Sequence, residues 1–251
     1  MNNNTIIQKL TELNLGGAKS AYIRQSEDIT YQNLSFNERL YNLLETQEIH
    51  NANQKTKMLQ KLSKIKDKQA TLSNIEYIPK RQINKDLLLE LASMNFIRHH
   101  QNIIATGCTG SGKSFIIQAL GNRAIEEGFK TFYIRVPILL EELKIARATG
   151  TYINILKKYQ RYNLLILDDF GIAQMSSDDT INFLEIIENG VDLTSIIIAS
   201  QLPVSSWYEY LNNKTVADAI LDRLVNSSHR IELQGGSMRK IKSTIKKYGE
   251  N

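Results

Sequence analysis

The run Gly107-Cys108-Thr109-Gly110-Ser111-Gly112-Lys113-Ser114 carries the spacing G-x-x-x-x-G-K-[ST]. Average composition would place such a run somewhere in 251 residues about one time in a hundred. An apolar stretch before it and a helical pattern after it lower those odds further. Each residue type answers a need of phosphate binding. Glycines let successive backbone N–H groups turn inward around a β-phosphate, and the helix that opens at the end of the loop adds a favourable dipole. Lys113 brings a point charge to the β- and γ-phosphates, and the Ser114 hydroxyl is a Mg²⁺ ligand. Phe115 follows directly and is grouped with the loop. The expected ligand is a nucleoside triphosphate with Mg²⁺.

A second motif, Leu164-Leu165-Ile166-Leu167-Asp168-Asp169, reads as a buried strand with two carboxylates at its C-terminal end. That end is where α/β sheets bind ligands. Asp168 is expected to hold Mg²⁺ directly or through water, and Asp169 to orient and polarise the attacking water. A nucleotide switch or a kinase needs only the first acid, so the pair argues for hydrolysis.

These residues need a frame, and the pattern from Asp86 onward supplies one. A helix is expected over 87–100, strands over 103–105, 131–136, 164–167, 195–199 and 230–233, and helices between them, the one after the glycine loop ending near Gly128. Pro137 opens another helix, and further helices are expected over 179–189, 204–211 and 216–225. Short apolar strands alternating with helices specify a parallel sheet covered on both faces.

Residues 1–70 read as helical. Ser35 and Glu38 have the spacing of a capping box ahead of the apolar stripe Leu40, Leu43, Leu44. A second helix is expected beyond it, with Lys57, Lys61, Lys64 and Lys68 along one side. Such a face can lie along DNA phosphates, each contact releasing a counterion, or it can simply be solvated. Charge distribution points the same way. Residues 1–82 carry +4 (12 basic, 8 acidic), residues 229–251 carry +4 (6 and 2), and the body between carries −3 (13 and 16). The organisation expected is an N-terminal helical DNA- or partner-binding domain (1–72), a linker (73–83), a nucleotide-binding domain (84–240) and a basic tail (241–251).

Composition narrows the class. With 42% hydrophobic and 23% charged residues the chain is neither a disordered tail, a collagen-like repeat nor a coiled-coil rod. It has no apolar run long enough to span a membrane and no secretory signal pattern, so a cytoplasmic protein is expected. The single cysteine, Cys108, excludes an intramolecular disulfide and a cysteine-based zinc site.

The order and wording of the motifs resemble the DnaC/IstB branch of AAA+ ATPases, and within it the IstB-like helpers of insertion-sequence transposition. The resemblance runs through Leu15-Gly16-Gly17, Phe96-Ile97-Arg98-His99-His100, the two motifs above, Ser200-Gln201-Leu202-Pro203, Ala217-Asp218-Ala219-Ile220-Leu221-Asp222-Arg223-Leu224 and the segment 229–239. It therefore covers nearly the whole chain. It implies an α/β P-loop NTPase fold of AAA+ type with a small N-terminal helical domain. It implies that Ser200 or Gln201 senses the γ-phosphate, that Arg223 is an arginine finger acting on a neighbouring subunit's ATP, and that Arg239 is either a second sensor or part of the basic tail. The alternative role for Arg223 is an ion pair with Asp222 or Asp218. The implied partners are double-stranded DNA, an IstA-like transposase and further copies of the chain in a ring or spiral. A DnaC-like loader of a replicative helicase, a P-loop kinase of a small molecule and an architectural protein that uses ATP only as a switch are the rival readings.

Overall fold

The computed structural model describes residues 2–238. The chain divides into two compact units, Met1–Met58 and Leu59–Asn251.

In the first unit, α1 (Asn3–Glu12) and α2 (Gly16–Glu27) precede a 3₁₀ turn, Ile29–Asn33, and most of the long helix α3, Phe36–Leu62, whose last residues belong to the second unit. Ser35 and Glu38 form the expected capping box: Glu38 Oε2 accepts from the Ser35 N–H at 2.8 Å, and Ser35 Oγ accepts from the Glu38 N–H at 3.3 Å. Small residues let α2 lie close to α3. A Cβ at Gly17 would sit 2.6 Å from both the Thr46 carbonyl oxygen and the His50 Cβ. The buried Ala18 donates its N–H to Gln47 Oε1 at 3.0 Å.

The second unit is a five-stranded parallel sheet in the order β2-β3-β4-β1-β5. Its strands are β1 (Asn102–Gly107), β2 (Thr131–Arg135), β3 (Leu164–Phe170), β4 (Ser195–Ser200) and β5 (Ser228–Leu233). Helices α4 (Lys85–Ala92), α5 (Asn95–Arg98), α6 (Lys113–Glu126), α7 (Val136–Ala148), α8 (Tyr152–Gln160), α9 (Ser177–Gly190), α10 (Trp207–Tyr210) and α11 (Lys214–Val225) surround it. Side chains alternate between two cores. Ile104, Leu165, Leu167, Ile196 and Ile198 face one, which holds Leu139, Phe183 and Trp207; Ile103, Leu164, Ile166 and Ile197 face the other, which holds Leu91, Ile117 and Leu120. Burial on both faces is why the strands read as unbroken apolar runs.

Four readings of the sequence change. The helix expected over 87–100 is two helices, because Met94, fully buried, takes a left-handed conformation (φ 58°) between them. Helix α8 has no counterpart in the expected pattern. The four-lysine helix face does not form. Lys57 and Lys61 lie one turn apart on α3, but the helix ends at Leu62; Lys64 is left-handed (φ 60°) and Lys68 sits in a turn, all four being exposed.

The fourth change concerns where the nucleotide-binding unit starts. It begins at Leu59 instead of the mid-eighties, because residues 59–81 pack on the sheet and α6. Tyr133 on edge strand β2 donates its N–H to the Ser63 carbonyl at 2.7 Å. Gln118 Oε1 accepts from the N–H groups of Lys66 and Asp67, and Asn122 Nδ2 donates to the carbonyls of Asp67 and Ala70. Ile65 and Ile75 enter the core. The polar stretch is thus a wall of the fold.

Candidate nucleotide site

β1 runs into the glycine loop, and α6 starts at Lys113 with Gly112 (φ 99°) as its N-cap. Lys113 is 8% exposed, and its Nζ donates to the carbonyls of Gly107 at 2.6 Å and Cys108 at 2.9 Å. Burial lowers the pKa of its amine, against the opposing attraction of Asp168, Cys108 and Asp169. The loop carbonyls are thus folded around the lysine, a consequence of left-handed glycines that no residue with a Cβ adopts cheaply.

Asp168 and Asp169 stand near the C-terminal end of β3, which β4 separates from β1. They do not follow the strand, as the sequence suggested; they lie inside a bulge. The pairing of β3 with β4 shifts register between Leu167 and Phe170, and Asp169 takes φ 60°. The bulge re-aims one carboxylate while returning Phe170 to the core, where its ring centroid lies 4.5 Å from that of Trp207. Asp168 is 3% exposed: Tyr133 Oη donates to its Oδ2 at 2.7 Å and the Asp169 N–H to its Oδ1 at 2.8 Å. Burial first, then the bond to Asp168, pushes the Tyr133 phenol far above its ordinary pKa, so it stays a donor. Tyr133→Phe would leave Oδ2 of a buried carboxylate without that donor. A loss of about 1–3 kcal/mol in urea unfolding is expected; unchanged stability would mean that another group takes over. Asp169 is more open and accepts on Oδ2 from Arg135 Nε at the end of β2. That bond, with the attraction of Asp169, raises the pKa of Arg135.

Of the two sensor candidates, Ser200 is fully buried with its Oγ accepting from the Leu202 N–H at 3.0 Å. Gln201 instead reaches the glycine loop, its Oε1 accepting from Thr109 Oγ at 2.6 Å. Arg223 lies on α11 away from these groups. It pairs with Glu188 of α9 at 2.9 Å and donates to the Ala219 carbonyl at 3.1 Å, so its ionic partner is neither Asp222 nor Asp218. Arg239 and the tail 241–251 lie outside the described residues.

Sequence reasoning missed one side of the site. A cavity of about 320 Å³ beside the loop is lined by Asn74, Ile75, Glu76 and Arg81, together with Lys113, Ser114, Phe115 and Met238. The available signal was Ile75 and Ile78, apolar residues in a stretch otherwise read as a polar linker.

Strand, glycine loop and helix, an acidic pair on β3 with β4 between it and β1, and the order β2-β3-β4-β1-β5 define a P-loop nucleotide-binding protein of the AAA+ class. Solved structures agree in fold. DnaA from Aquifex aeolicus bound to AMPPCP superposes with a TM-score of 0.58 at 21% identity, covering 70% of this chain and 54% of that one. The DnaC helicase loader superposes at 0.52 and 19%, covering 67% and 99%. In sequence, a family profile described as IstB-like ATP binding protein matches residues 8–245. An insertion-sequence ATP-binding protein of Sinorhizobium fredii is 34% identical over 233 residues, 93% of this chain and 94% of that protein. The insertion sequence IS1162 ATP-binding protein of Pseudomonas fluorescens is 34% identical over 200 residues, 80% of this chain and 87% of that protein. The chain belongs to the IstB-like ATP-binding protein family.

Proposed function

We propose that this protein is an ATP-dependent, DNA-binding AAA+ regulator that assembles on target DNA, recruits and activates a transposase, and hydrolyses ATP at subunit interfaces. The observation that carries the reading is the family match, which extends through both units instead of stopping at the P-loop. It favours a transposition helper over a helicase loader, since the relatives are insertion-sequence proteins.

Within one subunit, Lys113 exchanges its bonds to the Gly107 and Cys108 carbonyls for phosphate oxygens. Among the described residues no three His, Cys, Asp or Glu cluster as a metal cage. Mg²⁺ needs no such cage, since it takes one or two carboxylates and completes its shell with phosphates and water. Ser114 and Asp168 are hard oxygen donors of this kind, and the bonds from Tyr133 and Asp169 leave lone pairs on both Asp168 oxygens. The bound ion would neutralise phosphate charge. Asp169 then orients water once its Oδ2 exchanges Arg135 for that water, and Gln201, beside the loop, is the better placed sensor. Arg223 acts on the ATP of an adjoining copy. No helix among the described residues is long and apolar enough to cross a membrane.

DNA contact is assigned to the exposed lysines Lys57 and Lys61 on α3 and Lys64 and Lys68 beyond its end. The test is duplex binding followed by fluorescence anisotropy with ADP and with a non-hydrolysable ATP analogue, across a salt series. Binding is expected to require the analogue. Changing all four lysines to glutamine should weaken binding on every sequence and flatten the salt slope by up to about 3–4 units, one phosphate per lysine. An unchanged slope would make them solvated surface, and equal binding with ADP would remove the ATP dependence.

A further inference from the structure

Arg81 is a cation that the sequence placed in a linker and that the structure places against the phosphate-binding loop. It is 6% exposed. Its Nη1 donates to the Glu76 carbonyl at 2.9 Å and its Nη2 to the Ser111 carbonyl at 2.7 Å, while its Nε finds no hydrogen-bond partner among the described residues. A Cβ on Gly112 would lie 2.5 Å from Arg81 Nη2, so the glycine that caps α6 also makes room for the guanidinium. The main chain of Arg81 is pinned in turn, its carbonyl accepting from the Gln234 N–H at 3.1 Å beyond β5.

Main-chain geometry makes this contact more than packing. All peptide bonds described are trans, and in a trans peptide the carbonyl and the following N–H point in opposite directions. A group that holds the Ser111 carbonyl therefore turns the Gly112 N–H the other way. The neighbouring carbonyl, Gly110, is held similarly by the Met238 N–H at 2.8 Å. Lys113 takes the carbonyls of Gly107 and Cys108. The two sets of bonds differ in fate. Lys113 must let go when phosphate arrives, whereas Arg81 and Met238 hold their carbonyls from outside the loop and can keep them.

We propose that Arg81 is a positioning residue of the nucleotide site, which fixes the Ser111–Gly112 peptide so that the loop is preset for the β-phosphate. A cation suits this task, since a charged donor bonds a carbonyl more strongly than a neutral one. A preset loop also avoids paying ordering entropy on binding. The proposal rests on the ATP-site assignment and adds to it a residue from the segment that precedes the sheet.

The test uses the full chain with ADP and AMPPCP as probes in calorimetric titrations, and hydrogen exchange on the nucleotide-free protein. In Arg81→Gln both Kd values should rise by a similar factor, at least tenfold, because both ligands carry the β-phosphate. Exchange should speed up in peptides covering 107–113 and stay unchanged in β3 and β4. An unaltered ADP affinity would overturn the proposal. So would faster exchange throughout the sheet, which is what a merely structural role predicts. If Arg81→Gln does not fold, Arg81→Lys, which keeps the charge but loses the two-armed fork, decides by the same two measurements. Failure of the unaltered chain to bind ADP would instead remove the nucleotide-site reading, and this proposal with it.

Discussion

Replacing Lys113 by alanine is expected to abolish ATP binding. The cations lining the cavity among the described residues are Lys113 and Arg81, and the two hydrogen bonds of Arg81 go to main-chain carbonyls. Lys113 belongs to the loop motif itself and can trade the Gly107 and Cys108 carbonyls for phosphate, whereas Arg81 braces the Ser111 carbonyl from outside the loop. Truncating one member of a buried, hydrogen-bonded charge pair costs about 2–5 kcal/mol, roughly 30- to several-thousand-fold in Kd. The same substitution releases the Gly107 and Cys108 carbonyls, so a thermal melt of the nucleotide-free variant must accompany the titration. A variant that melts normally and still binds ATP with undiminished affinity would remove the site assignment.

The second large effect separates one-subunit from two-subunit catalysis. Asp169→Asn should keep Mg·ATP binding, because Ser114, Asp168 and Lys113 remain, and should lose hydrolysis for want of a base. Arg223→Ala should also bind ATP nearly normally, since Arg223 sits on α11 paired with Glu188, away from the glycine loop. Its hydrolysis should nevertheless fall by ~10³–10⁵, the range associated with arginine fingers. Neither variant alone can then turn over, but a mixture can, because some interfaces pair an intact Asp169 with an intact Arg223. Partial recovery on mixing, with a maximum near equal proportions, is the expected curve. If the Glu188 pair is all that Arg223 does, the variant keeps its activity and loses at most about 1 kcal/mol of stability, since the pair is substantially exposed. A mixture that co-assembles yet stays inactive would reject a shared site.

Much of this protein is written locally. The G-x-x-x-x-G-K-[ST] spacing, the apolar strands and the Ser35–Glu38 cap are decided within a few residues of themselves, since turn chemistry, burial on two faces and helix capping are short-range demands. What the sequence could not decide depends on partners far along the chain. Arg81 and Ile75 look like linker until Ser111 and the core of the sheet are brought beside them. Whether the four lysines share a helix turns on where α3 stops, and a left-handed Lys64, not propensity, ends that face. Arg223 chooses Glu188 over its own helix's aspartates because α9 lies alongside α11. Asp169 takes its place from a bulge set by the register of β3 against β4, and its partner Arg135 comes from another strand. The sequence by itself carried the expectation of a nucleotide and nominated the loop for its phosphates. Only tertiary structure decided what braces that loop and where its acids point, because bulge register and buried donors are fixed by contacts between segments that have no period in common.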